Sequence, residues 1–194
     1  YQDPKYKKAA DLLRKQIDWQ PRNRAGGFWH KLKYPAQMWL DGLYMIEPFY
    51  AEYTKRFGGK EAYADIVHEF VLMEQKARDP NTGLLYHGWD ESRQQFWADK
   101  QTGLSQSFWS RAMGWYHVAL VEVLDVMDVN HPERKKLLEI LKRLTIAIAK
   151  VQDKSSGVWW QVTDKGGTEK NYLESSASAM FVYAMAKAIN KGYT

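Results

Sequence analysis

A glycine followed by bulky residues recurs three times in this 194-residue chain, and this repeat constrains the fold more than any other feature. The copies are GGFWH at 26–30, GLLYH at 83–87 and GVWWQ at 157–161. Each copy follows an amphipathic helical pattern and precedes a more apolar one. Helical hairpins repeated in this way stack into a solenoid or close into a toroid. The sequence therefore predicts an all-α fold of three helical hairpins.

The two helices of each predicted hairpin differ in their hydrophobic pattern. The first has apolar residues on one face and charged residues on the other, which is typical of an outer helix. The second is apolar or small nearly all round, which predicts burial on most sides. Pro48 lies inside the first inner helix and is expected to kink it. The outer helices are predicted around Tyr6–Ile17, Tyr63–Val71 and Leu137–Val151, and the inner ones at Met38–Tyr53, Gln106–Met127 and Leu173–Ile189.

The loops between outer and inner helices predict where a functional site lies. In a toroid the inner helices point their N-termini toward one end, and the long glycine-containing loops gather there. Loops on a rigid scaffold commonly carry function. We therefore expect the site to be built from residues 29–41, 86–111 and 159–176.

The composition excludes several classes of protein. The net charge is +5 and neither sign forms a long run, which argues against a nucleic-acid-binding arm. Without cysteine there are no disulfides and no thiolate metal sites. No apolar run is long enough to span a membrane, and no targeting segment is visible; since the chain starts at Tyr1, the compartment stays undetermined. Nine Trp and twelve Tyr favour a surface that stacks on sugar rings, with core packing as the competing explanation.

Asp41 is a candidate for acid–base chemistry because its neighbours are apolar. It lies in MWLDGLYM at 38–45, where desolvation would raise its pKa and keep the carboxyl available as a general acid. The structural alternative is a helix N-cap, a role in which aspartate is common. Since Asp41 lies inside the apolar run rather than before it, the functional interpretation is favoured.

Arg111 is a candidate for binding a negatively charged ligand. It lies early in the second inner helix, between Trp109 and Trp115. An arginine on a buried helix needs a carboxylate partner, and its planar guanidinium suits bidentate binding of a ligand carboxylate. A structural salt bridge with Glu174 is the equal alternative.

The five histidines are expected to have different roles. His30 and His87 hold equivalent positions in two copies of the repeat, where they would form hydrogen bonds to a sugar. Neither a metal nor another cofactor is expected, because no third metal ligand is evident beside them. His68 and His117 are predicted to be structural or surface residues, and His131 to help start a helix.

Four separated motifs together resemble glycoside hydrolase family 105, the unsaturated rhamnogalacturonyl hydrolases. Their order and spacing agree with the family along the whole chain. The motifs are MWLDGLYM at 38–45, YHGWD at 86–90, WSRAMGW at 109–115 and YLESSASAMF at 172–181. The resemblance implies an (α/α)6 toroid of six hairpins, to which residues 1–194 contribute three as a single partial domain, a half-barrel.

The resemblance also implies a function. The family removes a 4,5-unsaturated uronic acid from the non-reducing end of oligosaccharides made by pectin lyases or related lyases. An aspartate, matching Asp41, protonates the C4=C5 double bond and helps water add at C5, after which the hemiketal collapses and releases the aglycone. The family's substrate pocket matches His30, Trp39, His87, Trp109, Arg111 and Trp115.

Two departures from the family pattern stand out. Ala112-Met113 occupy positions where many members have Gly-Asn, so the pocket is expected to differ there. A second important aspartate of the family lies on an earlier inner helix, which would precede Tyr1. The chain is therefore interpreted as about half of the barrel, and whether it is active alone is left open.

Two other classes of function also remain open. One is a toroid glycosidase for saturated substrates, in which Asp41 pairs with Glu174 or Asp90. The other is a non-catalytic glycan-binding half-barrel, because a half-barrel leaves inner helices exposed as apolar surface. Exposed inner helices would also favour self-association.

Overall fold

Helices make up most of the computed structural model, which describes residues 3–59 and 61–194. The helices are α1 Pro4–Trp19, α2 Leu40–Phe57, α3 Ala62–Ala77, α4 Ser110–Val126, α5 Arg134–Lys150 and α6 Ser175–Asn190. The strands, of two or three residues each, are β1 Gln37–Trp39, β2 Gly88–Asp90, β3 Trp159–Trp160 and β4 Leu173–Glu174. The all-α prediction is confirmed. No helix in these ranges has the length and apolar character needed to cross a membrane.

The helices follow the predicted order of three outer–inner hairpins, α1–α2, α3–α4 and α5–α6, and α2 also packs against α3 and α4 against α5. The second helices of the hairpins pack in a row, with α4 in contact with both α2 and α6. In the outer layer α3 packs against α5. Buried apolar residues from all six helices join in a single hydrophobic cluster between the two layers.

Only α4 is buried nearly all round, which corrects the prediction for the other two inner helices. Twelve of its 17 residues are buried. In α2 and α6 most buried residues recur three or four positions apart and form one stripe, while Met45 and Val182 on other faces are 58% and 55% exposed. The reason is position: α4 has an inner helix on each side, whereas α2 and α6 stand at the two ends of the described row.

The inner helices begin later than predicted because strands precede two of them. Residues 37–39 pair with residues 88–90 in antiparallel register, so α2 starts at Leu40 rather than Met38. Leu173–Glu174 pairs with Trp159–Trp160, which moves the start of α6 to Ser175. Pro48 lies inside α2, which continues to Phe57, and the kink stays a prediction.

The structure reveals a second repeat, a turn of the form Asp-x-x-Thr/Ser-Gly. It occurs at 79–83, 99–103 and 153–157, and in each copy the aspartate side chain accepts hydrogen bonds from the N–H and hydroxyl three residues later. The glycine N–H donates to the aspartate carbonyl, and its φ lies between 73° and 79°. This left-handed conformation favours glycine, which explains the glycine of the last two repeats recognised in the sequence.

Candidate active site

The β1–β2 pair positions the first aromatic side chains of the site. Trp39 lies opposite Gly88, and the Leu40 N–H donates to the His87 carbonyl at 3.0 Å. The Trp39 and His87 rings meet edge to face with centroids 6.0 Å apart, and His87 meets Trp109 in the same way at 5.8 Å. Three of the predicted binding residues, from two loops, therefore converge at the N-terminal ends of α2 and α4.

His30 joins this group by stacking on Trp39, with centroids 4.5 Å apart and ring planes within 9°. Burial lowers the pKa of His30 to about 4, so the ring is neutral at higher pH and offers one donor and one acceptor. Its Nδ1 is buried and lacks a hydrogen-bond partner in the described part of the chain. Burial also lowers the pKa of His87. Both histidines can thus form neutral hydrogen bonds to a ligand.

Asp41 lies in the first turn of α2 and does not cap the helix. The N-cap residue is Trp39, and the Asp41 Oδ2 is buried with no hydrogen-bond partner among residues 3–59 and 61–194. Burial raises the pKa of the Asp41 carboxyl, while a hydrogen bond from its own backbone and the positive charges of Arg111 and Lys31 oppose the rise. Because burial has the largest effect, it favours the protonated carboxyl, which is the state that a general acid requires.

Arg111 and Glu174 form the salt bridge that was one of the two alternatives for Arg111. The Arg111 Nη2 donates to the Glu174 Oε1 at 3.1 Å, and the guanidinium lies 5.4 Å from the Trp109 ring centroid. The Arg111 side chain is still 38% exposed, and its Nε is unpaired within the described structure. The salt bridge therefore holds the guanidinium in place without closing it to a ligand.

Glu174 is the N-cap of α6. Its carboxylate accepts hydrogen bonds from the Ala177 N–H and the Ser176 hydroxyl as well as from Arg111. Burial acts to raise the pKa of Glu174, but these hydrogen bonds and the Arg111 charge outweigh it and lower the pKa. Glu174 is thus an ionised structural carboxylate.

Asp90, the other carboxylate considered as a partner for Asp41, is fully buried. Its two oxygens accept hydrogen bonds from the N–H and hydroxyl of Ser92 and from the N–H groups of Gln94 and Gln95, at 2.6–2.9 Å. All of these donors lie in the loop that follows β2. Asp90 therefore organises that loop rather than facing a ligand.

Trp115 lies one helical turn beyond Arg111 on α4. Its ring contacts Tyr44, with centroids 4.5 Å apart, and Tyr44 lies three residues beyond Asp41 on α2. This contact bridges the two helices one turn beyond the Asp41 carboxyl and the Arg111 guanidinium. We call the group formed by His30, Trp39, His87 and Trp109 the ring cluster. Trp115 lies at the base of the site, separate from this ring cluster.

Two aromatic residues that the sequence analysis did not single out complete the ring cluster. Tyr34 stacks on Trp39 at 5.3 Å. Trp97, from the loop after β2, contacts Trp39 at 6.4 Å and His87 at 6.2 Å. A tryptophan next to a phenylalanine within a polar loop, at 96–97, is the signal that could have indicated Trp97.

The third glycine loop contributes less to the site than expected. Trp159 is buried, packs against Phe181 and donates its Nε1–H to the Ile148 carbonyl at 2.8 Å. It is therefore a core residue, and the contribution of this region is Glu174, which holds Arg111.

The remaining histidines have structural contacts. His117 is buried with its Nε2 2.9 Å from the Thr145 hydroxyl, and the His68 Nε2 lies 3.0 Å from the Ala25 carbonyl. His131 accepts a hydrogen bond from an N–H group just before α5, which confirms its predicted role at a helix start. Within the described ranges, no three His, Asp or Glu side chains are grouped to hold a metal ion.

A cavity of about 220 Å³ lies behind His30 and Trp39. Two buried carboxyls, Glu47 and Glu69, line it. Glu69 accepts a hydrogen bond from Arg22 at 3.2 Å, whereas the Glu47 Oε2 has no partner in the described residues. Burial raises the pKa of both carboxyls, and the charge of Glu69 raises that of Glu47 further. Asp41 and Arg111 do not line this cavity, which therefore lies beside the site rather than at its centre.

The family model described as Glycosyl Hydrolase Family 88 matches residues 1–194. A solved structure of a C. acetobutylicum glycoside hydrolase from family 105 is 50% identical with a TM-score of 0.96, over 98% of this chain and 53% of that one. This match confirms the predicted (α/α)6 toroid class, with the chain as a half-barrel.

Two proteins similar in sequence support the same family assignment. A protein named Atu3128 from Agrobacterium fabrum is 39% identical over 145 residues, which are 75% of this chain and 61% of that protein. The unsaturated rhamnogalacturonyl hydrolase YesR of Bacillus subtilis is 29% identical over 191 residues, 96% of this chain and 52% of YesR. The chain thus spans between half and two thirds of the length of these relatives. It belongs to the family described as Glycosyl Hydrolase Family 88, and its predicted resemblance to glycoside hydrolase family 105 is confirmed.

Proposed function

We propose that this chain belongs to a hydrolase that removes a 4,5-unsaturated uronic acid from the non-reducing end of pectin-derived, rhamnogalacturonan-like oligosaccharides. The observation that carries the proposal is the partly buried carboxyl of Asp41, whose Oδ2 has no hydrogen-bond partner among the described residues, beside Arg111 and the ring cluster. The activity in the name of YesR supports this substrate class.

Asp41 is the proton donor in this proposal. Its proton adds to C4 of the double bond, a water oxygen bonds to C5, and a proton of that water returns to the Asp41 carboxylate. The hemiketal at C5 then opens the ring, and the hemiacetal left at C1 releases the aglycone as an alcohol. The carboxyl is protonated again at the end of the cycle. The raised pKa of Asp41 favours this protonated state, which each new turnover requires.

The other predicted residues bind the sugar. Arg111 binds the uronate carboxylate, for which a guanidinium oriented by Glu174 is well suited. Trp39 and Trp109 offer apolar faces to the sugar ring, and His30 and His87 offer neutral hydrogen bonds to its hydroxyls. Trp115 closes the base of the site through its contact with Tyr44.

The alternative of a two-carboxylate glycosidase is disfavoured by the second carboxylate. That mechanism needs a second carboxyl group free to act as base or nucleophile. Asp90 accepts hydrogen bonds from its own loop and Glu174 caps α6, so neither is free in the described structure. A non-catalytic glycan-binding half-barrel is the remaining alternative, and measurement of turnover distinguishes it.

The proposal also includes self-association. The exposed faces of α2 and α6, at the two ends of the row, are apolar at Met45 and Val182. Water-exposed apolar surface of this kind favours contact with a second copy of the chain.

The Asp41→Asn variant tests the catalytic role. It keeps the size of the side chain but removes the transferable proton, so turnover should fall by about 10²–10⁴-fold while substrate binding is retained. Loss of the ultraviolet absorbance of the C4=C5 double bond measures turnover on an unsaturated galacturonyl–rhamnose disaccharide, and calorimetry measures binding.

Two controls accompany this measurement. Asp18→Asn makes the same chemical change at an exposed position on α1 and should leave turnover unchanged. YesR provides the positive control for the assay. Near-normal turnover by Asp41→Asn would exclude Asp41 as the acid. The glycan-binding alternative would be favoured if the wild-type chain binds the disaccharide but leaves its double bond intact under conditions in which YesR removes that double bond.

A further inference from the structure

The loop that follows β2, residues 91–104, is held in one conformation by its own hydrogen bonds. The Asp90 carboxylate accepts hydrogen bonds from the backbone N–H groups of residues 92, 94 and 95. The Lys100 ammonium donates to the carbonyls of Arg93 and Gln95, at 3.1 and 3.2 Å. At the far end the Asp90 N–H donates to the Gly103 carbonyl at 2.8 Å. A loop bonded at its start, middle and end presents its side chains in fixed positions.

The loop borders the proposed active site through Trp97. The Trp97 ring contacts Trp39 and His87, and its six-membered ring lies over Gly88. A Cβ on Gly88 would lie 3.4 Å from this ring, an ordinary van der Waals distance, so the Trp97 ring packs directly on β2. Trp97 therefore extends the ring cluster outward from the site to the loop.

Phe96, next to Trp97, is 91% exposed. It lies at the corner of a turn closed by the hydrogen bond from the Ala98 N–H to the Gln95 carbonyl at 3.2 Å. An aromatic ring left in water beside a ligand site forgoes the stabilisation that burial would give, and it is well placed to stack on a flat apolar surface. The apolar face of a pyranose ring is such a surface.

The geometry points to a subsite for the first sugar of the leaving group, formed by Phe96 and Trp97. This inference rests on the proposed function. If Arg111 holds the carboxylate of the terminal uronate, the next sugar lies farther from Arg111. The ring contacts lead in that direction from Trp109 through His87 to Trp97. The subsite therefore takes a pyranose ring of the aglycone and favours substrates that carry one over substrates with a smaller leaving group.

Two substrates with the same unsaturated uronic acid test the subsite, one linked to rhamnose and the other to a methyl group. Phe96→Ala should lower kcat/KM for the rhamnose-linked substrate by roughly three- to ten-fold, the value of one aromatic stacking contact, and leave the methyl glycoside unchanged. Because Phe96 is exposed, its removal leaves the fold intact. Equal loss on both substrates, or loss on neither, would overturn the inference.

Phe57→Ala is the matched control, since Phe57 is an exposed phenylalanine at the opposite end of α2 and should affect neither substrate. Calorimetry with a saturated galacturonyl–rhamnose disaccharide measures binding at the subsite without the catalytic step, because this ligand has no C4=C5 double bond. Phe96→Ala should weaken this binding by a similar factor and leave binding of free galacturonate unchanged. If the wild-type chain consumes neither substrate, the proposed function fails. The binding comparison still decides the subsite: equal affinity of wild type and Phe96→Ala for the disaccharide rejects it.

Discussion

At the scale of single residues, Asp41 and Arg111 influence each other through charge. The Arg111 guanidinium lowers the pKa of Asp41 against the larger effect of burial. Arg111→Ala removes that charge, so the pKa of Asp41 should rise. Because the proposed chemistry needs protonated Asp41, the alkaline fall in kcat/KM should move to higher pH. Uronate affinity should drop as well, by about 1.5–3 kcal/mol for a lost charge-assisted hydrogen bond.

The pH profile and a calorimetric titration of galacturonate check these two effects. Rhamnose serves as the neutral control ligand, and its affinity should not change. An alkaline limb that stays in place would show that Arg111 does not act on Asp41, and undiminished uronate affinity would reject the carboxylate-binding role.

Glu47 should make the stability of the protein depend on pH. Its folded pKa is raised above the ordinary value of 4.5 by burial and by Glu69. The folded state therefore holds a proton that the unfolded state releases above this value, and stability falls as pH rises toward the folded pKa. For one proton the slope approaches about 1.4 kcal/mol per pH unit. Glu47→Gln cannot ionise, so its free energy of unfolding should fall less steeply over this range.

Urea unfolding of wild type and Glu47→Gln between pH 4 and pH 8, about the span from the unfolded pKa of a glutamate upward, measures this difference. Glu52→Gln is the control, because Glu52 is a partly exposed member of the same helix, paired with Arg56. Parallel pH dependences for wild type and Glu47→Gln would contradict a buried protonated carboxyl.

Sequence reasoning predicted Asp41 and Arg111 as site residues but did not single out the Glu47–Glu69 pair. A carboxylate among Trp, Leu and Met is conspicuous in the sequence, whereas glutamates on helices are ordinary. Their coupling depends on how α2 packs against α3, which the hydrophobic pattern does not determine. Likewise the pattern left the salt bridge of Arg111 as one of two alternatives, because its partner is 63 positions away.

At the scale of secondary-structure elements, the Asp-x-x-Thr/Ser-Gly turns fix the loops, and Gly103 is the most constrained glycine among them. Its φ is 79°, and a Cβ there would lie 2.3 Å from the carbonyl oxygen of Asp90. Gly103→Ala should therefore cost more than the about 1–2 kcal/mol of a left-handed alanine, because the backbone of Asp90 must also move.

Gly157→Ala provides the matched comparison, since Gly157 has a φ of 73° but open space where the Cβ would lie. It should show the conformational cost alone. Chemical denaturation of both variants measures the difference. Equal losses in the free energy of unfolding would mean that the backbone of Asp90 moves aside without a further energetic cost.

The helices were easier to predict than these connections. Periodic apolar residues indicated all three hairpins, but residues 38–39 and 173–174, which lie in short strands, are predicted as helix starts from the sequence. Trp39 and Leu173 are compatible with either structure, and only pairing with a strand distant in sequence decides between them.

At the scale of the whole molecule, the two ends of the helix row should mediate self-association. Burying the exposed apolar faces of α2 and α6 gains about 25 cal/mol per Å². Sedimentation velocity should show association that rises with concentration, and Val182→Glu should reduce it. Val129→Glu, at an exposed valine between α4 and α5, should not. A monomer at every concentration would contradict this expectation.

The central place of α4 also affects how the molecule opens. In an array whose units touch only their neighbours, the end units have fewer contacts and unfold locally at lower free energy. Amide protons of α4 should therefore exchange with solvent more slowly than those of α1 or α6. Asp41 belongs to an end helix and Arg111 to the central one. Under the proposed roles of Asp41 and Arg111, local opening of α2 would withdraw the acid while the guanidinium stays in place, and a molecule in that state would bind a uronate without converting it.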